Sequence, residues 1–177
     1  MPAPKQAEVN RAFEAMFDAE LPYVWTSLRR LGVADRDIED VAHELFLQVL
    51  KNLPTFDATR PPRPWLFAFA VRFASDYRRL ARHRGSFLGD TEPAESNPGP
   101  EAILAARQRE ALVLRALEDV DFERRVVFVL HELEERPMTE VSDMLGLPLN
   151  TGYSRLRVAR EEFAAGVRRL TRGKETP

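Results

Sequence analysis

MTEVSDMLGLPLNTGYSRLRVAR, residues 138 to 160, reads as two helices joined by a tight turn. Val141, Met144 and Leu145 supply the inward face of the first helix, Thr139 is placed to cap its start, and Gly146 ends it. The turn Gly146-Leu147-Pro148 leads into a second helix whose inward face would be Gly152, Leu156, Ala159, Phe163 and Val167, at spacings of 4, 3, 4 and 4. Two helices joined by a short, glycine-containing turn have the geometry of a helix-turn-helix, whose second helix places its first residues in the major groove of DNA. The outward positions there are Asn150, Tyr153, Ser154 and Arg157, with Thr151, Arg155 and Arg160 at the margins, types that bond base edges and phosphates. Glu161 and Glu162 follow, so only the first two turns suit an anionic partner. A helical hairpin with a solvated basic face shows the same pattern.

The chain as a whole is not basic. Its 177 residues carry 26 Lys and Arg against 28 Asp and Glu, for a net charge of -2 and an isoelectric point near 6.0. That balance does not suit a protein that coats nucleic acid unaided, so any basic function is local. There is no cysteine, which removes disulfides, thiol chemistry and cysteine-based zinc sites, and suits a reducing compartment. His43, His83 and His131 lie far apart, and neither a metal nor a cofactor is expected. The N-terminus lacks the basic start and apolar core of a secretory signal. The longest apolar run, Trp65 to Val71, is far short of the ~20 residues that cross a bilayer. The expectation is a cytoplasmic protein without membrane insertion. No catalytic residue is assigned, since no phosphate-cradling glycine loop, nucleophile elbow or metal-ligand cluster is present, and no small-molecule substrate is expected.

Apolar residues recur at helical spacing, and no segment alternates with period two for long enough to argue a sheet. The fold class is all-α, as two small helical domains joined by a flexible acidic linker. The linker is Gly85 to Pro100, with three of the eight glycines, three of the thirteen prolines, three acids and no base. The domains are then residues 1–84, 85–100 as linker, and 101–177, the last containing the helix-turn-helix.

In the first domain a helix from about Asp35 to Leu53 has a core stripe of Ile38, Val41, Ala42, Leu45 and Val49. Beside it runs a polar row of Asp37, Asp40, Glu44, Gln48 and Lys51, flanked by Leu47 and Leu50. A charged row alone reads as a solvated face. An apolar edge beside acids points instead to a protein partner. The next helix, about Pro64 to Arg84, would bury Leu66, Phe69, Ala70, Phe73, Tyr77 and Leu80 and present Arg72, Ser75, Arg79 and Arg82 on another face. Asp76 is spaced to pair with both Arg72 and Arg79. From Arg60 to Arg84 there are eight Arg or His positions against one acid, a local excess that fits phosphate contact. The loop FDATRPPRPW carries Arg60 and Arg63 between prolines, with Phe56 and Trp65 beside it, a composition able to hold unstacked bases. Trp65 also suits a place in the core.

These residues carry a resemblance over nearly the whole chain. DIEDVAHELFLQVLKNLPTFDATRPPRPWLFAFAVRFASDYRRLARHR resembles region two of bacterial sigma factors, and RRVVFVLHELEERPMTEVSDMLGLPLNTGYSRLRVAREEF resembles their region four. Two such regions with only a linker between them resemble the extracytoplasmic-function (ECF) group. The resemblance implies that Asp37, Asp40, Glu44, Leu47, Gln48 and Leu50 bind core RNA polymerase, which the group contacts through its β′ clamp and β subunits. It implies that Arg60, Arg63, Arg72, Ser75, Arg79 and Arg82 meet the minus-ten element of promoter DNA. Asn150, Thr151, Tyr153, Ser154, Arg155, Arg157 and Arg160 would read the upstream, minus-thirty-five element, and the linker would run into the active-site cleft and RNA-exit path. An anti-sigma factor is the further implied partner, with a stress or environmental-signal regulon as output. A subunit of a large polymerase need not itself be basic.

Some positions depart from the family pattern. TGYSR stands where a Thr-Val-Lys-Ser-Arg type of sequence is common, so Gly152 replaces an apolar anchor and Tyr153 a cation. Gly152 is expected to leave a void and to cost the helix roughly 1 kcal/mol relative to alanine. Arg72 stands where many relatives have asparagine, and His43 where glutamine is usual. A promoter sequence different from the common one, or a weaker upstream contact, is expected. A stand-alone helix-turn-helix regulator, with the first domain dimerising or binding a ligand, explains the 138–160 stretch equally well but not the second arginine ridge. An all-helical interaction protein without a DNA role is the third reading.

Overall fold

The computed structural model describes residues 4–83 and 101–172; the stretch read as a linker, Gly85 to Pro100, lies outside them. Among the described residues every element is helical, and no strand occurs. Residue contacts divide the chain into an N-terminal and a C-terminal unit.

The N-terminal unit is built from α1 (Pro4–Arg30), α2 (Ile38–Asn52) and α3 (Pro62–His83), with short 3-10 turns at Asp35–Asp37 and Leu53–Thr55. The predicted stripe of α2 faces inward, with Ile38, Ala42, Leu45 and Val49 buried and Val41 half-buried. Phe46 is buried as well, because α1 brings Phe17 against it edge-on at 4.8 Å, with Phe13 at 6.3 Å. On α3 the buried side chains are Leu66, Phe67, Ala70 and Ala74. Leu80, expected inward, is 53% exposed. Tyr77 meets Asp37 at the start of α2, so a residue one turn further along α3 has run past the helix that would have covered it.

The C-terminal unit comprises α4 (Glu101–Glu118), α5 (Phe122–Phe128), α6 (Met138–Leu145) and α7 (Leu149–Arg172). α7 packs against all three others. Gly166 makes the approach to α4 close, since a methyl there would lie 3.1 Å from the Ala116 carbonyl oxygen and 3.3 Å from its Cα. Phe163 stacks on Phe128 of α5 at 4.8 Å. Asp121 caps α5 by accepting from the Glu123 amide at 3.1 Å. The helix then widens to π form over Val129–Leu133, and Glu135 adopts a left-handed φ of 55°. The His131 Nδ1–H donates to the Arg136 carbonyl at 2.8 Å, closing this turn.

Candidate nucleic-acid and protein interfaces

The geometry of 138–160 follows from backbone chemistry at three positions. Pro137, with φ fixed near its observed -62°, occupies the cap position of α6. Thr139 therefore lies inside the first turn and makes no capping bond, contrary to the role expected of it. At the other end Gly146 takes φ 62° and ψ 34°. The Leu147 amide donates to Ser142 at 2.9 Å and the Gly146 amide to Asp143 at 3.4 Å, a Schellman closure that needs a residue tolerant of positive φ. α7 then starts directly after Pro148, whose carbonyl accepts from the Gly152 amide at 3.1 Å.

Gly152 leaves no void. A methyl at its position would sit 2.7 Å from the Met138 sulfur and 3.1 Å from Ser142 Oγ. The missing side chain lets α6 press directly onto α7, and Leu156 and Ala159 continue the buried face.

The opposite side of α7 presents Asn150, Tyr153, Ser154, Arg157 and Arg160 to solvent, with Thr151 and Arg155 half-buried at its edge. Each arginine of this set has an acidic partner. Arg155 pairs with Glu123 of α5, and Arg157 with Glu161 one turn on at 2.7 Å. Arg160 binds Glu132 through Nε at 2.9 Å and Nη2 at 2.5 Å. These pairs hold the guanidinium groups extended along the surface at little net energy, since exposed ion pairs contribute about 0–1 kcal/mol. A phosphate can replace the carboxylate. The later turns of α7 are tied down differently: Glu162 takes a two-pronged bond from Arg124 at 2.6 and 2.9 Å, and Arg169 binds Asp119 at 2.8 Å.

In the N-terminal unit, Arg72, Ser75 and Arg79 are exposed along α3, and the side chain of Arg82 lies outside the described residues. Asp76 pairs with Arg79 at 3.1 Å and not with Arg72, which makes no ion pair with any described residue. Arg63 is not brought to this ridge. Its Nε donates to Glu20 of α1 at 2.9 Å and its guanidinium lies 5.0 Å from the Tyr23 ring centroid. Arg60 is exposed beside Asp57 at 3.4 Å. Bonds from the Thr59 hydroxyl and amide, with the charge of Arg60, hold the Asp57 carboxyl below its ordinary range. Trp65 is half-buried, between Phe56 at 4.8 Å and Phe69 at 5.0 Å.

Along α2 and the turn before it, Asp40, Glu44 and Leu47 are exposed while Asp37, Gln48 and Leu50 are half-buried; Leu47 is 45% exposed. Asp37, Asp40 and Glu44 also border a groove of about 410 Å³ between α2 and α3, floored by Val41, Phe73, Tyr77 and Leu80. Phe73 and Leu80 were placed in the core by spacing alone. Only the point where α2 begins shows that they serve a groove. Among the described residues no cluster of potential metal ligands occurs, and no helix is long and apolar enough to cross a membrane.

Known proteins resemble this chain in sequence and fold. Residues 16–84 match the family model described as Sigma-70 region 2. The chain is 32% identical over 146 residues to the RNA polymerase sigma factor CnrH of Cupriavidus metallidurans, covering 77% of this chain and 76% of that protein. It is 25% identical over 151 residues to the ECF RNA polymerase sigma-E factor of Escherichia coli K12, covering 79% and 78%. Its structure matches that of CnrH in complex with the cytosolic domain of CnrY with a TM-score of 0.63 at 25% identity, over 88% of this chain and 87% of that one. This decides between the function classes the residues left open, a sigma factor and a stand-alone regulator. The all-helical chain, with its region-two match and a relative aligned across both units, belongs to the RNA polymerase sigma factors, in the extracytoplasmic-function group.

Proposed function

We propose that the three surfaces divide the work of promoter-specific initiation among themselves. The first turns of α7 read the upstream element through Asn150, Thr151, Tyr153, Ser154, Arg155, Arg157 and Arg160. The exposed ridge of α3, Arg72, Ser75 and Arg79 with Arg82, meets the minus-ten element together with Arg60. Arg63 serves there by fixing α3 on α1, given its bonds to Glu20 and Tyr23. The acidic row and exposed Leu47 of α2 dock on the β′ clamp of core polymerase. Residues 1–84 then act as region two and 101–177 as region four, with 85–100 between them.

One observation carries this reading: α7 buries one face on α4, α5 and α6 while its polar and basic first turns stay exposed. Catalysis belongs to the polymerase, and the chain acts in the cytoplasm without a cofactor. The CnrH structure contains the cytosolic domain of CnrY, which supports an anti-sigma partner for this chain and a signal-controlled regulon. The test is binding of the purified protein to core RNA polymerase followed by run-off transcription on a promoter library. Sequence-selective initiation that depends on both elements is expected; initiation indifferent to the upstream element would remove α7 from the reading.

A further inference from the structure

The outward side of α7 holds an apolar pair that its polar neighbours do not explain. Leu149 and Tyr153, one turn apart, are 41% and 52% exposed, and the buried face of Gly152, Leu156 and Ala159 is complete without them. Arg157 follows one turn later, so the three side chains form a single row at i, i+4 spacing. Arg155 and Arg160 flank it.

A partner for this row must be anionic, to meet three arginines, and must offer an apolar group near the start of the helix. Duplex DNA combines these only in the major groove, where the 5-methyl of thymine is the apolar feature of the base edges. We propose that Leu149 and Tyr153 read thymine methyl groups in the upstream element, with Arg157 bonding the next guanine or phosphate along the groove. This rests on α7 being the upstream reader and names the chemistry that it reads. Four helical residues rise about 6 Å, close to two base-pair steps of about 3.4 Å, so the thymines fall within about two steps of each other. Leu149 becomes a specificity residue alongside the polar set.

The experiment uses holoenzyme assembled from core RNA polymerase and this protein, on a promoter taken from library selection. Each thymine of the upstream element is replaced in turn by deoxyuridine, which deletes the methyl group and keeps the base pairing, and promoter affinity is measured. A loss of about fourfold, the value of burying one methyl group, is expected at one or two thymines no more than about two steps apart. Leu149→Ala or Tyr153→Ala should lower affinity for the thymine promoter and abolish its deoxyuridine sensitivity at the matching position, whereas Tyr153→Phe should retain both. The deoxyuridine series on the unmodified protein needs no variant to fold. Neutral deoxyuridine at every position, a selected element without thymine there, or a Tyr153→Phe as weak as Tyr153→Ala overturns the proposal. If Arg157→Ala still weakens upstream binding in that case, α7 stays the reader and only the methyl contact is lost. If Arg157→Ala and a scrambled upstream element are both silent, the assignment of α7 to DNA fails as well.

Discussion

Tyr77 donates a 2.6 Å hydrogen bond to Asp37 Oδ2, fastening α3 to the turn from which α2 starts. One carboxylate proposed for polymerase docking is thus already engaged inside the N-terminal unit, leaving Asp40 and Glu44 as the exposed acids of that row.

Burial, then the hydrogen bond and charge of Asp37, raise the Tyr77 pKa above its ordinary 10.0. The folded state therefore holds this proton more tightly than the unfolded chain. Its contribution to stability is complete below the unfolded value and is lost as pH rises through the folded one. Urea unfolding of the wild type should show an alkaline loss of stability beginning near pH 10 that Tyr77→Phe lacks. At neutral pH the same variant should cost about 0.5–1.5 kcal/mol for the missing hydrogen bond. An identical alkaline limb in both proteins would break the link.

Gly166 and Gly152 look alike in the sequence and should respond differently to alanine. At Gly166 the new methyl meets the Ala116 backbone and Asp119 Oδ2, the latter at 2.7 Å. Backbone cannot swing aside, so Gly166→Ala should destabilise the protein by about 1–3 kcal/mol despite alanine's better helix propensity. At Gly152 the first obstacle is the Met138 thioether, a flexible group. Gly152→Ala should lie within about 1 kcal/mol of wild type, its propensity gain offset by the shift of Met138. Thermal melts of the two variants separate the cases, and equal losses would contradict the packing described.

Replacing Arg157 by alanine removes a cation held only by an exposed pair with Glu161. Affinity of holoenzyme for promoters with the upstream element should fall about tenfold, while binding to core polymerase stays unchanged. Glu132→Gln frees Arg160 from its partner and should raise DNA affinity a few-fold with a steeper salt dependence. Weakened DNA binding by Glu132→Gln would mean that the pair organises the surface rather than competing with phosphate.

Asp40→Lys combined with Leu47→Ala alters two exposed positions on α2. Binding to core polymerase should drop at least tenfold, with helicity retained and unfolding free energy changed by no more than the amount typical of surface substitutions, about ±0.5 kcal/mol. Unchanged affinity with retained helicity would remove this surface from the docking assignment.

Periodicity was sufficient for α2, α3, α6 and α7 and for the buried faces of α2 and α7, since a core stripe at 3.6-residue spacing is written directly in Ile38, Ala42, Leu45 and Val49 or in Leu156 and Ala159, whereas on α3 it missed Phe67 and Ala74. The turn at Gly146 was equally legible, because positive φ at a helix end restricts the residue that can stand there. Phe46 was not, because its burial depends on Phe17 arriving from another helix.

Residue spacing and composition thus settle local features: an all-helical chain, a turn at 146–148, basic patches in an acidic whole, and motifs that resemble region two and region four. Tertiary structure alone decided which of those groups stand together. It placed Arg63 on Glu20 and away from the ridge of Arg72 and Arg79, turned Leu80 from core to groove, and made Gly152 a point of close helix approach. The physical reason is that helical spacing fixes which side of its own axis a residue occupies. Whether another element covers that side, or supplies a charge to it, depends on where distant segments begin and end.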